Sequence, residues 1–448
     1  MLKNYCRIYL VLILGAIQTA SIAQGTFYFK DDFSQKINFE FINNLIVIPL
    51  KVNNKDLKFI LDTGVSKPIL FNLTEQDSLM LRDRQSFFLR GLGAEGELKA
   101  IKSRYNRIRL GNAVSTNQDL YVVYDEGINF TARLGVLVHG IIGYNVFQDH
   151  VIEINYNSEY IRLHKPESFK PKTSKAWKKL DLEVHNNKSY VQADVVIDSL
   201  KKTVKLLVDT GSSDAMWLFK DEILKPNRNL MFEDYLGKGL SGSVYGQRSK
   251  VNNLKLSDYI LSDVNVAFPD SLSVDLTRVY KGRNGSLGNG ILKRFNLFFD
   301  YTRGKLYLKK NKYFKQSFTY NNSGVVLEHN GSKFVREAIK LPSLGYFDKN
   351  RDAVEIDLFV NYIMALKPTY RIVEVRPTSN AYDVGLRPGD ILIGFNGKES
   401  YNYSLAEINE VLHGKIGRNV FMEIERKGKF MRFRFKLDDV FKKNERLN

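Results

Sequence analysis

Cysteine is almost absent from this chain. The 448 residues include a single cysteine, Cys6, which lies within an N-terminal segment typical of a secretory signal. A mature chain without that segment has no thiol, which excludes disulfides, a cysteine nucleophile and a cysteine-based metal site. The six histidines show no metal-ligand spacing, and neither a G-x-S-x-G nor a Walker motif occurs. We therefore expect no metal and no other cofactor.

The N-terminus predicts export. Lys3 and Arg7 give a basic start, an apolar run covers residues 8–17, and the Ser-Ile-Ala of residues 21–23 fits a cleavage site. An uncleaved membrane anchor is the alternative, but the run is shorter than the roughly 20 residues of a span. No later segment is apolar enough to cross a bilayer. An export signal without disulfides indicates the periplasm or exterior of a bacterium.

The chain is strongly basic, with a formal net charge of +18. The basic residues are spread along the sequence, and no segment resembles a helix or ribbon that reads bases, so we expect no nucleic-acid partner. A basic surface suits anionic lipids, glycans or acidic substrates, and it also serves general solubility.

The triplet Asp-Thr-Gly occurs twice in the same setting. Each copy follows a short apolar run, has serine two residues after the glycine, and leads into a second apolar stretch. The residues are Asp62, Thr63, Gly64 and Ser66 in the first copy, and Asp209, Thr210, Gly211 and Ser213 in the second.

The triplets belong to a longer internal repeat. Residues 141–165 and 286–310 align without a gap. The third residue of each block is a glycine, Gly143 in the first and Gly288 in the second. Ser286 stands where the first block has the apolar Ile141. Between each triplet and its block lies a glycine-rich turn. The turn glycines are Gly91, Gly93 and Gly96 in the first half, and Gly237, Gly239 and Gly242 in the second.

Two carboxylates on matching turns can hydrolyse a peptide bond without a metal or a covalent nucleophile. Carboxylates about 3 Å apart share one proton, so one member acts as base on a water molecule and the other as acid. Gly64 and Gly211 let backbone amides approach the carboxylates closely. Thr63 and Thr210 can hydrogen-bond across the interface, and we expect Ser66 and Ser213 to bond the outer carboxylate oxygens.

These motifs resemble the pepsin and retropepsin superfamily of aspartic proteases. Residues 62–66 and 209–213 match its D-T-G-x-S motif, and the blocks at 141–143 and 286–288 look like the apolar-apolar-Gly element beneath each catalytic loop. The glycine-rich turns look like flap tips that close over substrate. The resemblance covers roughly residues 38–310 and implies a mainly β, bilobal fold with Asp62 and Asp209 as the catalytic pair.

The C-terminal part resembles a bacterial PDZ domain. Residues 379–392 look like the family's S-P-A-x-x-A-G-L-x-x-G-D-x-I run, followed by a turn at Asn396-Gly397, a helix over 405–412 and two closing strands. Domains of this kind bind a C-terminal peptide as an added strand. The resemblance places the carboxylate-binding loop at Ser323, Gly324 and Val325, although an ordinary hairpin turn fits there equally well.

Together these patterns predict an exported aspartic endopeptidase with a peptide-binding domain. We expect a signal peptide over 1–23, protease lobes over 24–169 and 170–312, and a PDZ domain over 317–438 with an insertion at 333–367. The partners are a polypeptide substrate and a C-terminal peptide, and the chain is expected to be a monomer. Two alternatives stay open: a catalytically silent peptide-binding protein of the envelope, and half-sites that meet only between two chains.

Overall fold

A computed structural model describes residues 25–29, 35–73, 79–93, 95–124, 128, 130–172, 174–227, 230–274, 280–340 and 360–443. The predicted signal peptide and the middle of the predicted insertion lie outside these residues. Strands dominate the described chain, and no helix within it is long and apolar enough to cross a membrane.

The first half forms a nine-stranded sheet around the first Asp-Thr-Gly triplet. The strands of this half are β1 Tyr28–Phe29, β2 Lys36–Asn38, β3 Glu40–Ile42, β4 Leu45–Val52, β5 Lys55–Leu61, β6 Ile69–Leu70, β7 Arg82–Leu89, β8 Leu98–Leu110, β9 Ala113–Val123 and β10 Gly140–Ile142, and its helices are α1 Phe130–Leu134 and α2 Tyr144–Phe147. The strand order of the sheet is β3-β4-β5-β10-β6-β9-β8-β7, and β1 pairs with the start of β9.

The second half forms an eight-stranded sheet with the same arrangement. Its order is β14-β15-β16-β21-β17-β20-β19-β18, so each strand has a counterpart in the first sheet. Its strands are β14 Glu183–His185, β15 Lys188–Ile197, β16 Leu200–Val208, β17 Met216–Leu218, β18 Phe232–Gly239, β19 Gly242–Leu256, β20 Tyr259–Pro269 and β21 Arg283–Leu287, and its helices are α3 Ser271–Val274 and α4 Asn289–Leu292.

A third sheet contains strands from both halves. Its order is β13-β23-β22-β11-β12-β2, and β11 pairs with β22 in antiparallel fashion, with Ile152 opposite Phe299. The strands not yet defined are β11 Val151–Asn155, β12 Tyr160–His164, β13 Lys178–Asp181, β22 Phe295–Asp300 and β23 Lys305–Lys310. One continuous buried core contains residues of all three sheets, because most of their strands direct alternate or consecutive apolar residues toward it.

The C-terminal part has its own sheet and its own core. The sheet order is β24-β25-β26-β28-β29 with β27 beside β26, so β24 is an edge strand. The elements are β24 Val325–Lys340, β25 Val360–Val375, α5 Asn380–Asp383, β26 Ile391–Phe395, β27 Lys398–Glu399, a 3₁₀ turn Ser400–Asn402, α6 Leu405–Leu412, β28 Asn419–Arg426, β29 Lys429–Lys436 and α7 Val440–Lys443.

The predicted helix of this part is confirmed. Helix α6 spans the predicted 405–412, where Ser404 and Glu407 form a capping box, a strong start signal for a helix. The described part of the predicted insertion is the outer half of a long hairpin, in which Lys333 pairs with Lys367 and Lys340 with Val360.

Candidate active site

Each Asp-Thr-Gly loop follows a central strand and rests on the block that the sequence repeats. The Asp62 amide donates to the Ile142 carbonyl at 2.8 Å, and the Asp209 amide donates to the Leu287 carbonyl at 2.9 Å. A Cβ on Gly143 would lie 1.8 Å from the Asp62 carbonyl oxygen, so only glycine permits this close contact. The two blocks therefore support the two loops in the same way.

The threonines bind the two loops to each other. The Thr63 amide donates to Thr210 Oγ1 and the Thr210 amide donates to Thr63 Oγ1, both at 3.0 Å. Each hydroxyl then donates into the opposite half, to the Val208 carbonyl at 2.6 Å or the Leu61 carbonyl at 2.7 Å. Both threonines are fully buried, so these four bonds fix the loops face to face as predicted.

The two carboxyl groups meet within one chain. The Gly64 amide donates to Asp62 Oδ1 at 2.7 Å, and the Gly211 amide donates to Asp209 Oδ1 at 3.0 Å. Asp62 and Asp209 also hydrogen-bond each other. A Cβ on Gly211 would lie 2.3 Å from Asp62 Oδ2, so that position requires glycine. Half-sites that meet only between two chains are not needed to form this pair.

The pair holds a proton because the charged forms are crowded and poorly solvated. Burial, and then the neighbouring Asp209, raise the pKa of Asp62 to about 8. Burial also raises the pKa of Asp209, but the positive charge of Arg283, the hydrogen bond with Asp62 and the charge of Lys188 oppose that increase. The two carboxyls therefore titrate as a coupled pair that shares one proton.

The serine bonds predicted from the motif are not formed. Within the described chain, neither the Ser66 nor the Ser213 hydroxyl hydrogen-bonds an aspartate, and both residues line the cavity above the pair. Ser213 is exposed, and its carbonyl accepts a hydrogen bond from the Asn44 side chain at 3.0 Å. The glycine amides and the partner aspartate thus orient the carboxylates without the serines.

The two glycine-rich tips meet above the carboxyl groups. The Glu95 amide donates to the Ser241 carbonyl and the Ser241 amide to the Leu92 carbonyl, both at 2.8 Å. The Gly91 amide donates to Ser241 Oγ at 2.9 Å. Gly93 has φ +117°, and a Cβ there would lie 2.1 Å from the Ser241 carbonyl oxygen. Of the predicted tip glycines, Gly91, Gly237 and Gly239 line the cavity below, whereas Gly93, Gly96 and Gly242 do not.

A cavity of about 1220 Å³ extends from the carboxyl pair to the C-terminal sheet. At its far end it is lined by Val325, Val326 and Leu327 of the edge strand β24 and by one face of helix α6. That face carries Ala406, Asn409 and Glu410, and His413, the C-cap of the helix, lines the cavity beside them. The groove beside β24 and the carboxyl pair therefore open into the same space.

The predicted carboxylate-binding loop lies at this far end. Gly324 has φ +73°, and a Cβ there would lie 2.4 Å from the Ser379 Cβ. The amides of Ser323 and Gly324 both donate to Asn321 Oδ1 at 3.1 Å, and the Val325 amide donates to Ser323 Oγ at 3.0 Å. Side chains of the loop itself thus occupy the amides that a bound carboxylate would use.

A buried ion network joins the catalytic loop to the C-terminal part. Arg248 Nη1 lies 2.6 Å from Asp214 Oδ1, and Arg248 Nε lies 3.2 Å from Asp234 Oδ2. Arg376, at the end of β25, places its Nε 3.3 Å from Asp234 Oδ1. Asp214 follows the second D-T-G-S-S motif directly, but nothing in the sequence pairs it with residues so distant along the chain.

Sequence reasoning also missed Lys188 and Arg283, whose charges act on the pair. A signal for Lys188 exists: with a gap of four residues for the longer second hairpin, Glu-Phe-Ile-Asn-Asn-Leu at residues 40–45 aligns with Glu-Val-His-Asn-Asn-Lys at residues 183–188. No comparable signal marks Arg283. Among the described residues, no group of three or more histidine, cysteine or acidic side chains could hold a metal ion.

Comparison with known families agrees with this geometry. Residues 48–146 match the aspartyl protease family model, which covers Asp62 and most of the first sheet. Residues 371–426 match the PDZ domain model, which covers β26, α6 and β28. A search of curated proteins found no match. The chain therefore carries an aspartyl protease domain in its first half and a PDZ domain near its C-terminus.

Proposed function

We propose that this chain is an aspartic endopeptidase that cleaves polypeptides with a water molecule activated by Asp62 and Asp209. One observation carries the proposal: the two carboxyl groups hydrogen-bond each other while four threonine bonds hold their loops. A rigid pair that shares one proton supplies both an acid and a base at one point.

We assign the two roles from the positive charge of Arg283, which favours the ionised form of Asp209. Ionised Asp209 takes a proton from the water, whose oxygen attacks the scissile carbonyl carbon, while protonated Asp62 donates a hydrogen bond to the carbonyl oxygen. As the C–N bond breaks, a proton passes from the pair to the leaving nitrogen, so that one water molecule is consumed for each bond cleaved. The basic cavity and the meeting tips would hold an extended peptide across the pair.

Casein and a quenched peptide substrate would test this proposal. We expect Asp62→Asn and Asp209→Asn each to lower kcat/KM by about three orders of magnitude or more. Asp56→Asn is the matched control, because Asp56 is 77% exposed in its side chain and pairs with Lys51 at the surface. Cleavage that survives in either dyad variant would contradict the mechanism. Tight binding of a statine-type peptide without turnover would instead indicate a silent peptide receptor.

We further propose that the PDZ domain captures a polypeptide C-terminus between β24 and α6. β24 is the edge strand of its sheet, which supports strand addition once the segment around Gly135, which lies against His329 of β24 and Leu405 of α6, moves aside. The loop amides that Asn321 and Ser323 now occupy would then bind the incoming carboxylate. Fluorescence polarisation with a labelled peptide tests this, with its C-terminal amide as the matched control. The amide should bind at least about tenfold more weakly, because it loses a charge-assisted bond. Equal affinities would refute carboxylate capture.

Export and the domain limits complete the proposal. We propose cleavage after residue 23 and a mature enzyme outside the bacterial cytoplasm, with lobes over 24–169 and 170–312 and the PDZ domain over 317–438. N-terminal sequencing of the protein recovered from the periplasm and from the medium tests the first point. A chain that retains residues 1–23 in a membrane fraction would contradict cleavage.

A further inference from the structure

The loop that follows α1 lies in the groove of the PDZ domain. Gly135 has φ +75°, and a Cβ there would lie 3.0 Å from His329 Nε2 of β24 and 3.5 Å from Leu405 Cβ of α6. A peptide that binds by strand addition takes the space between this strand and this helix. Residues 133–137, which we call the plug loop, therefore occupy part of the space that a C-terminal peptide needs.

The two ends of the plug loop are fastened to the first half of the chain. The Val138 amide donates to Thr131 Oγ1 at 3.2 Å. The Asn72 side chain donates to Thr131 Oγ1 at 3.1 Å and to the Val138 carbonyl at 3.0 Å. Between these ends, Leu137 is 52% exposed. Because the bonds close the base of the loop, its middle can leave the groove while the first sheet stays folded.

Arg133 links the plug loop to a hairpin that closes the active site. Its guanidinium lies 4.9 Å from the centre of the Tyr235 ring on β18, and its Nε lies 3.8 Å from Glu328 Oε2 on β24. Glu328 also pairs with Arg371 at 2.7 Å, so it stays paired when Arg133 leaves. The hairpin of β18 and β19 carries Ser241, which bonds the opposite tip above the carboxyl pair. Substrate can enter only when the tips part.

We propose that the plug loop is an internal competitor for the PDZ groove, and that a polypeptide C-terminus which displaces it activates the protease. When the loop leaves the groove, Arg133 no longer joins Tyr235 to Glu328, and the hairpin of β18 and β19 opens more readily. The inference rests on both parts of the proposed function. It adds the regulation of the site, because the bound C-terminus acts as an activator.

The length of the bound peptide gives the first test. Val325 and His329 are four residues apart on β24, or roughly 13 Å, so a strand added from residues 323–325 needs about five residues to reach the plug loop. The probes are peptides of about eight or about three residues with a free C-terminal valine, leucine or phenylalanine. The quenched substrate carries a C-terminal amide. At saturation the longer peptides should raise kcat/KM about fivefold or more, and the shorter ones should not.

A disulfide that holds the plug loop in the groove gives the second test. The Cβ–Cβ distance of 3.5 Å between positions 135 and 405 suits a disulfide. Gly135→Cys and Leu405→Cys are combined with Cys6→Ser, which removes the single cysteine of the chain. After treatment with oxidised glutathione, this variant should bind the longer peptides at least about tenfold more weakly and should not be activated. Dithiothreitol should restore both properties. Leu405→Cys with Cys6→Ser is the matched control and should not respond to the oxidant.

A larger side chain at position 135 should have the opposite effect. Gly135→Leu places atoms against His329 and Leu405, so it should expel the loop and raise kcat/KM about fivefold or more without any peptide. The longer peptides should then bind more tightly, because the internal competitor is gone. Gly428→Leu is the matched control, since Gly428 has φ +77° but open space around it. It carries a similar backbone strain and should behave like the wild type.

The outcomes separate this inference from the proposed function. Equal peptide affinity of the oxidised and reduced disulfide variants would show that the loop does not compete for the groove. Peptide binding that leaves kcat/KM of the reduced variant unchanged would refute activation. Either result leaves cleavage by the Asp62 and Asp209 pair standing. A wild-type enzyme that cleaves no substrate would refute the proposed protease function instead, and fluorescence polarisation would still measure competition for the groove. Circular dichroism establishes that each variant is folded.

Discussion

The strongest prediction concerns the pH dependence of stability when Asp62 is replaced by asparagine. Asparagine has the size and shape of the aspartate, and its Oδ1 can still accept the Gly64 amide bond, which is 2.7 Å long in the wild type. Only the ability to ionise is removed. We therefore expect Asp62→Asn to stabilise the protein while it abolishes catalysis.

The magnitude follows from the change in pKa on folding. The pKa of Asp62 rises from an ordinary 3.8 to about 8 in the folded chain, through burial and then through Asp209. The folded state therefore binds this proton more tightly than the unfolded state, and wild-type stability falls as pH increases between about 4 and about 8. Each pKa unit is worth about 1.4 kcal/mol, so the loss reaches at most roughly 6 kcal/mol and is constant above about 8.

Melting temperatures across this pH range measure the effect. The difference between Asp62→Asn and the wild type should be small near pH ~4, should grow as pH rises, and should level off above about 8. Asp56→Asn, at an exposed site, should show no such growth. The reasoning is refuted if Asp62→Asn melts below the wild type at alkaline pH, or if the difference between the two does not change with pH.

Three further predictions follow from the same contacts. In the wild type, kcat/KM should fall as pH rises through about 8, because Asp62 loses the proton that the reaction needs; a rate that stays constant to higher pH would contradict the assigned roles. Thr63→Val and Thr210→Val should each lower the free energy of unfolding in urea by about 1–3 kcal/mol, since each leaves a buried amide unsatisfied. The effect of the double variant should differ from their sum, because both threonines belong to one hydrogen-bond network. Arg376→Met should lower the free energy of unfolding by about 3–5 kcal/mol, because it leaves the Asp234 carboxylate, 11% exposed in its side chain, partly unpaired. Adding Asp234→Asn to Arg376→Met should recover part of that loss. No recovery would show that the two side chains are not coupled.

The catalytic loops could be predicted because their determinants are local and occur twice. The strand, the Asp-Thr-Gly triplet and the apolar-apolar-Gly element can each be recognised from a few residues. Their repetition in the second half distinguishes them from ordinary turns. Helix α6 was predictable for the same reason, since Ser404 caps it and the apolar period continues to Leu412.

Other parts of the site depend on contacts that no local pattern records. Arg248, Asp234 and Arg376 form one buried network, although Arg376 follows β25 and lies far in sequence from the hairpin of β18 and β19. The serine bonds were wrongly expected because the motif gives the spacing of Ser66 and Ser213 but not the direction of their hydroxyls. That direction depends on the turn that follows each triplet, where the Ser213 backbone carbonyl is bound by Asn44 of the other half.

Residues that the two halves share and residues at which they differ give different information about the site. Matching residues in the two sheets set up a nearly symmetric pair of carboxyls, and a symmetric environment would leave neither carboxyl preferred as the base. Lys188, Ser286 and Arg283 all stand in the second half, where the first half has apolar residues, and the positive charges of Lys188 and Arg283 favour the ionised form of Asp209. Positions at which the halves differ therefore bear on which carboxyl is ionised, whereas positions at which they agree identify the fold and the carboxyl pair itself.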